Sequence, residues 1–130
     1  MLQYHTPDSI IPPFAKYSHG VEVSPDTRLL FCSGQLGISE SADIPEDTES
    51  QTRLCFANIE ATLREADMSF ENIVRINAYV TDRKHLSAYM KVRDELFSNP
   101  APASTLMIVS GFARDVFTVE IEVLAAAKSG

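Results

Sequence analysis

The spacing of hydrophobic residues changes along this chain, and that succession of periods constrains the fold more than any other feature. Cys55, Phe56, Ile59, Thr62, Leu63 and Ala66 recur at intervals of three and four, the spacing of one helix face. From Ile73 to Val80 the period drops to two. Val74, Ile76, Ala78 and Val80 point one way, and Arg75, Asn77 and Tyr79 the other. Helical spacing returns in Leu86, Tyr89, Met90, Leu96 and Phe97. The last segment alternates again, with Phe117, Val119, Ile121, Val123 and Ala125 on one face. Thr118, Glu120, Glu122 and Leu124 occupy its other face. A chain patterned in this way is a mixed structure of helices laid on strands.

Prolines at 7, 12, 13, 25, 45, 100 and 102 leave the long periodic segments uninterrupted. Residues 1–15 read as an irregular arm. Tyr17 to Val23 and Leu29 to Gln35 read as strands joined by the turn Ser24-Pro25-Asp26-Thr27, hence as a β-hairpin. Gly34 inside the second strand marks a bulge or a close approach to the backbone. Glu60 and Arg64 stand four apart in the favourable order on the first helix, which ends within Asp67 to Asn72. Thr81-Asp82 offers an N-cap for the second helix, and Asn99-Pro100-Ala101-Pro102 stops it. Thr105 to Val109 is a further strand, and Ser110 to Asp115 a turn.

The predicted order is β-β-α-β-α-β-β, an α+β two-layer sandwich with two helices on one face of a mixed sheet. The opposite face would carry Asn77, Tyr79, Glu120 and Leu124. Left bare, it exposes a sizeable patch, and association with further copies in a closed ring is the simplest way to cover it.

A length of 130 residues corresponds to one domain spanning residues 1–130, with enough chain to bury a core without disulfides or metal. Eleven Lys and Arg against 18 Asp and Glu give a net charge of −7, with no basic cluster, so no nucleic-acid partner is expected. Cys32 and Cys55 form no Cys-x-x-Cys pair and read as free thiols of a reducing compartment. The first residues lack a signal pattern, and no apolar run is long enough to span a membrane. A cytoplasmic location is expected.

His5, His19 and His85 have no metal-ligand spacing, and phosphate-binding glycine motifs and a Gly-x-Ser-x-Gly elbow are absent. The best chemical candidates are Glu120 and Glu122, two apart on one strand and therefore on one face. A carboxylate at a partly buried interface has an easily raised pKa and can serve as a general base on water. The same spacing also suits a solvated strand edge or an intersubunit salt bridge.

Several segments, in order, resemble one family. Pro102-Ala103-Ser104-Thr105 and Val119-Glu120-Ile121-Glu122-Val123 resemble the C-terminal signature of the Rid family, the RidA/YjgF group also labelled endoribonuclease L-PSP or translation inhibitor. Phe14-Ala15-Lys16-Tyr17-Ser18-His19-Gly20 is similar to its Pro-Tyr-Ser stretch, and Ser33-Gly34-Gln35 to its Ser-Gly-Gln. The helix start from Gln51 to Asn58 and the strand from Ile73 through Asp82 also fit. The resemblance covers nearly the whole chain.

It implies a chorismate-mutase-like fold and a homotrimer with a small-molecule ligand in each of three intersubunit clefts. It further implies hydrolysis of 2-imino or 2-enamino acids to 2-oxo acids and ammonia, with no cofactor and no metal. Residue by residue, Tyr17 matches the tyrosine facing the cleft, and Glu120 the glutamate that positions water. Ser33 and Gly34 lie in the stretch that lines the site. The chain departs from the pattern at Ser104, where the imine deaminases have an arginine that grips the substrate carboxylate through a two-bond fork. Hydrogen bonds to charged groups contribute about 1.5–3 kcal/mol, so the change removes roughly a hundredfold in binding. One extra residue separates Ser104 from Glu120, and His19 stands where the family commonly has Gln. Arg114 is the nearest later arginine and a candidate for contact with substrate, although it falls in the predicted turn. The expected activity is enamine or imine hydrolysis on a substrate other than the usual 2-imino acids. The alternative is a non-catalytic metabolite-binding or regulatory trimer of the same fold. RNA cleavage, suggested by the older label, is opposed by the net charge.

Overall fold

The structure is a computed structural model and describes residues 2–97 and 99–129. Strands β1 (Leu2–His5), β2 (Gly20–Val23) and β3 (Thr27–Leu36) precede helix α1 (Thr48–Glu65). Strand β4 (Ile73–Val80), helix α2 (Leu86–Leu96) and strands β5 (Ala103–Ile108) and β6 (Val119–Lys128) complete the order. Four strands form one sheet in the order β3-β6-β4-β5. Strand β5 runs parallel to β4, and β6 is antiparallel to both its neighbours. Both helices pack on one face, so the architecture is the α+β sandwich on a mixed sheet that the periods predict.

Helix α1 begins where Asp47 accepts a hydrogen bond from the Ser50 amide at 2.8 Å. Its buried stripe includes Cys55, Phe56, Ile59 and Leu63. Thr62, expected in that stripe, is instead exposed and donates to the Asn58 carbonyl at 3.0 Å. The helix ends in a left-handed residue, Asp67, with φ of 55°. The Asp67 amide donates to Arg64 O and the Met68 amide to Leu63 O, which adds capping bonds to carbonyls of the last turn. Arg28 adds a further cap, donating to Ala66 O at 2.6 Å. Glu60 and Arg64 do pair, at 3.4 Å. Asp82 caps a 3-10 turn, Arg83–His85, that leads into α2.

The core lies between the layers. Ile76, Ala78 and Val80 of β4 and Val119, Ile121 and Ala125 of β6 are fully buried against Phe56, Ile59, Leu63, Tyr89 and Val92. The opposite face is open. Phe31 is 74% exposed and Met107 54%. Tyr79, Glu120, Glu122 and Leu124 share this face, as the alternation predicts.

Two expectations are corrected. Strands β2 and β3 do not form a hairpin; β3 pairs with β6 from Thr27↔Lys128 to Leu36↔Glu120. Strand β2 pairs with β1, from Leu2↔Val23 to His5↔Gly20. The arm expected to be irregular therefore contributes a strand. Its signal was the alternation of half-buried Leu2 and Tyr4 with exposed Gln3 and His5, obscured by the prolines that follow. The turn at Ser24 does form, with Thr27 Oγ1 donating to Ser24 O at 3.0 Å. The segments it joins diverge because β6 pairs with eight residues of β3, more than the four-residue β2 can offer.

Candidate active site

Gly34 and Glu120 are brought together by a bulge. Between Cys32 and Gln35 strand β3 advances three residues while β6 advances two, from Val123 to Ile121. The extra residue lies in Ser33-Gly34, and the kink sets the Gly34 backbone against the Glu120 side chain. A Cβ at Gly34 would overlap Glu120 Oε2 and sit 2.9 Å from its Cδ, so only glycine admits this approach. Both alternatives read from Gly34, a bulge and a close approach, are present.

The two glutamates have different surroundings. Glu122 accepts hydrogen bonds from Tyr79 Oη at 2.7 Å and Asn77 Nδ2 at 3.3 Å. The bond to Glu122, helped by burial, holds the Tyr79 phenol above its ordinary pKa and thus protonated. Among the described residues, the Glu120 carboxylate accepts no hydrogen bond from a side chain. Burial first, and the charge of Glu122 second, push its pKa above the ordinary carboxylate range. Such a carboxylate is a better proton acceptor than a solvated one. The arrangement suits Glu120 for work on water and Glu122 for support.

Ser33 borders a hollow of about 360 Å³ on the open sheet face, lined also by Phe31, Arg75, Asn77, Glu122 and Leu124. Tyr17 and Ser104 line a different hollow of about 380 Å³, with Phe14, Met90, Arg93 and Leu106. Strand pairing explains the separation. Ser104 lies opposite Ile76, whose side chain is in the core, so it faces the helix layer. Glu120 lies opposite Tyr79 and faces away from the helices. Within one chain, Tyr17 and Ser104 are thus on one side of the sheet and Glu120, Gly34 and Ser33 on the other.

Tyr17 is held by its neighbours in sequence. The Ser18 amide donates to Pro102 O at 3.1 Å, and the Ser18 hydroxyl donates to Ala101 O, which ties the arm to the start of β5. The Tyr17 ring meets Phe14 and His19 edge-on, at 6.1 and 5.8 Å between centroids. His19 is anchored by Nε2 on the Ile11 carbonyl at 2.8 Å. Arg114 joins neither hollow. It is exposed, with its guanidinium 5.3 Å from the centre of the Phe117 ring.

Sequence reasoning missed Arg93, Asn77 and Tyr79 as site residues. Arg93 had a legible signal: it follows Tyr89 by four and Met90 by three, so it is a charge within an apolar stripe. The two thiols are buried and free, and burial pushes Cys55 up to about 12, which leaves it unreactive at neutral pH. Among the described residues no cluster of three metal-ligating side chains forms, and no helix is long and apolar enough to cross a membrane.

A sequence profile described as Endoribonuclease L-PSP matches residues 8–127. The chain belongs to the endoribonuclease L-PSP family, the Rid/YjgF group. A RutC family protein of Aquifex aeolicus is 33% identical over 128 residues, covering 96% of this chain and 98% of that one. The RutC family protein YjgH of Escherichia coli is 37% identical over 99 residues, covering 75% and 74%. Among solved structures, YyfB of Yersinia pestis, a Rid-family protein described as of unknown function, superposes with a TM-score of 0.85. It is 26% identical and covers 97% of this chain and 98% of its own. Family membership agrees with the resemblance of the Ser33-Gly34-Gln35 and Val119–Val123 segments.

Proposed function

We propose that this chain is a Rid-type hydrolase of small imines or enamines, working in clefts completed by neighbouring copies of a homotrimer. The observation that carries the reading is Glu120: a carboxylate with a raised pKa, without a side-chain hydrogen-bond partner among the described residues, set against a bulged strand at the place where Gly34 has no side chain to displace it. In the reaction Glu120 accepts a proton from water as the water oxygen bonds to the C=N carbon. It returns that proton to nitrogen, giving a carbinolamine; it then takes the proton of the new hydroxyl and passes it to nitrogen as the C=O forms and the C–N bond breaks, and a carbonyl compound and ammonia leave. No cofactor or metal is needed for this balance. An assembly that seats the Tyr17–Ser104 hollow of one copy against the Glu120 face of the next unites groups that a single chain holds apart. The exposed Phe31 and Met107 support such packing. The substrate is recognised without a charged group at residue 104.

A neutral Ser104 in place of the family arginine also favours a second reading, a metabolite-binding trimer without turnover. One experiment separates them. A pyridoxal-phosphate lyase generates imines from several amino acids, and carbonyl release is scored against trapping by semicarbazide. Acceleration by the native protein, lowered at least a hundredfold in Glu120→Gln, supports hydrolysis. No acceleration across the imine series supports the binding reading.

A further inference from the structure

Arg93 stands where the stripe of α2 calls for an apolar residue, and it is only 3% exposed. A buried guanidinium is costly unless its donors are used. Here they are used incompletely. Nε and Nη2 both reach a single oxygen, Asp94 Oδ1, at 3.3 and 3.1 Å. Among the described residues, Nη1 finds no acceptor. The guanidinium lies 5.7 Å from the centre of the Tyr89 ring. The Tyr89 hydroxyl is a second unused donor: the residue is fully buried and its oxygen has no partner among the described residues. Burial pushes that phenol up to about 12, with Arg93 and Ser104 close enough to temper the rise. A fully buried hydroxyl without an acceptor, beside a guanidinium with a spare N–H, is a specific gap, since buried polar groups are nearly always paired.

The surroundings say what fills it. Arg93 borders the hollow that also holds Tyr17 and Ser104. Lys16 reaches the rim, donating to the Asp94 backbone carbonyl at 3.2 Å. Arg93 and Lys16 against Asp94 leave one net positive charge here, on a chain of net charge −7. The remaining walls, Phe14, Leu86, Met90 and Leu106, are apolar. Asp94, with a side chain 41% exposed, can turn to solvent and free the guanidinium for an incoming anion.

We propose that this hollow binds the carboxylate of a small organic acid with an apolar body, gripped by Arg93 from helix α2. The arginine that strand β5 lacks at Ser104 is thereby replaced from a different element, and the Ser104 hydroxyl assists. The proposal deepens the hydrolase reading and rests on it for the identity of the cleft. A single net positive charge and few donors suit a monoanion rather than a phosphate, which demands more of both.

The test is calorimetric titration of the full chain with phenylacetate, 2-phenylethanol and inorganic phosphate. Phenylacetate is expected to bind at least tenfold more tightly than the isosteric alcohol and more tightly than phosphate. Asp94→Asn, a change at a half-exposed residue, removes the competing carboxylate and should tighten phenylacetate several-fold. Arg93→Lys keeps the charge but not the fork and should weaken it about tenfold. Should Arg93→Lys fail to fold, Asp94→Asn decides alone. Equal binding of acid and alcohol, tighter binding of phosphate, or an unchanged affinity in Asp94→Asn overturns the proposal. Retained binding without imine hydrolysis upholds this assignment and sinks the hydrolase reading; hydrolysis without phenylacetate binding does the reverse.

Discussion

Glu120 and Gly34 depend on each other at the scale of single residues. The carboxylate occupies the space where a Gly34 side chain would be, so Gly34→Ala must displace it. A misplacement of about 1 Å at a reacting group costs on the order of a hundredfold in rate. Gly34→Ala should therefore lower the hydrolysis rate by about that factor while the far-ultraviolet circular dichroism stays unchanged. The raised pKa of Glu120 has a consequence for stability as well. Below the ordinary carboxylate pKa both folded and unfolded chains are protonated, and the group adds no penalty. As pH rises through the higher folded value, the unfolded chain ionises more readily and stability is lost. Glu120→Gln should consequently raise the melting temperature at pH 7, and the gain should vanish near pH 4. A gain that persists in acid would contradict the assigned shift. Such a residue is held against its own stability, as active-site groups often are. Much of this was legible in the sequence. Gly34 within a strand signalled a close approach, and the spacing of Glu120 and Glu122 placed them on one face. The division of labour between the glutamates was not legible, because Tyr79 and Asn77 reach Glu122 across a strand pairing that local spacing does not specify.

Elements were read well where one period ran unbroken. Strand β4 begins and ends where the alternation does, at Ile73 and Val80. The stripe of α1 was legible for the same reason, and its end carries a testable detail. Asp67 adopts a left-handed conformation that non-glycine residues enter at a cost. The chain there is exposed, and the capping bonds come from the backbone. Asp67→Gly should therefore stabilise the protein by about 0.5–1 kcal/mol, read as a shift of the urea midpoint at constant slope. No gain, or a loss, would show that the Asp67 side chain has a role beyond the turn. Strand β1 escaped notice because four residues of alternation before a proline-rich stretch are too few to separate from chance. The supposed hairpin failed because a turn does not oblige its flanking strands to pair.

The whole molecule presents one covered sheet face and one open one. Leu29, Phe31 and Met107 are exposed on or beside the open face, and Tyr79 and Leu124 are half-buried there. A second copy burying that face would remove this apolar area from water at about 25 cal/mol per Å². Phe31→Asp puts a charge at its most exposed apolar point and should dissociate the assembly. Sedimentation equilibrium of the parent and variant gives the answer: a trimer that becomes a monomer supports the intersubunit cleft. A parent that sediments as a monomer at micromolar concentration would remove the basis for uniting Tyr17 and Glu120. Relatives such as YyfB share the fold along nearly its full length, so a surface that recurs in them is a natural place to compare.

What the sequence by itself determined is the set of long local periods: that the segments of α1, β4, α2 and β6 are helix or strand, which face of each turns to the core, and that Gly34 and Glu120 are unusual. Those are properties of a few consecutive residues and follow from backbone geometry alone. Tertiary structure decided which strands pair, and therefore that Ser104 faces the helices while Glu120 faces away from them. It also decided that Arg93 is buried beside Tyr17 and Ser104 with donors to spare. Strand pairing is a competition between long-range ladders, settled by which arrangement buries the most apolar surface and satisfies the most backbone groups at once. No short stretch of sequence contains that comparison.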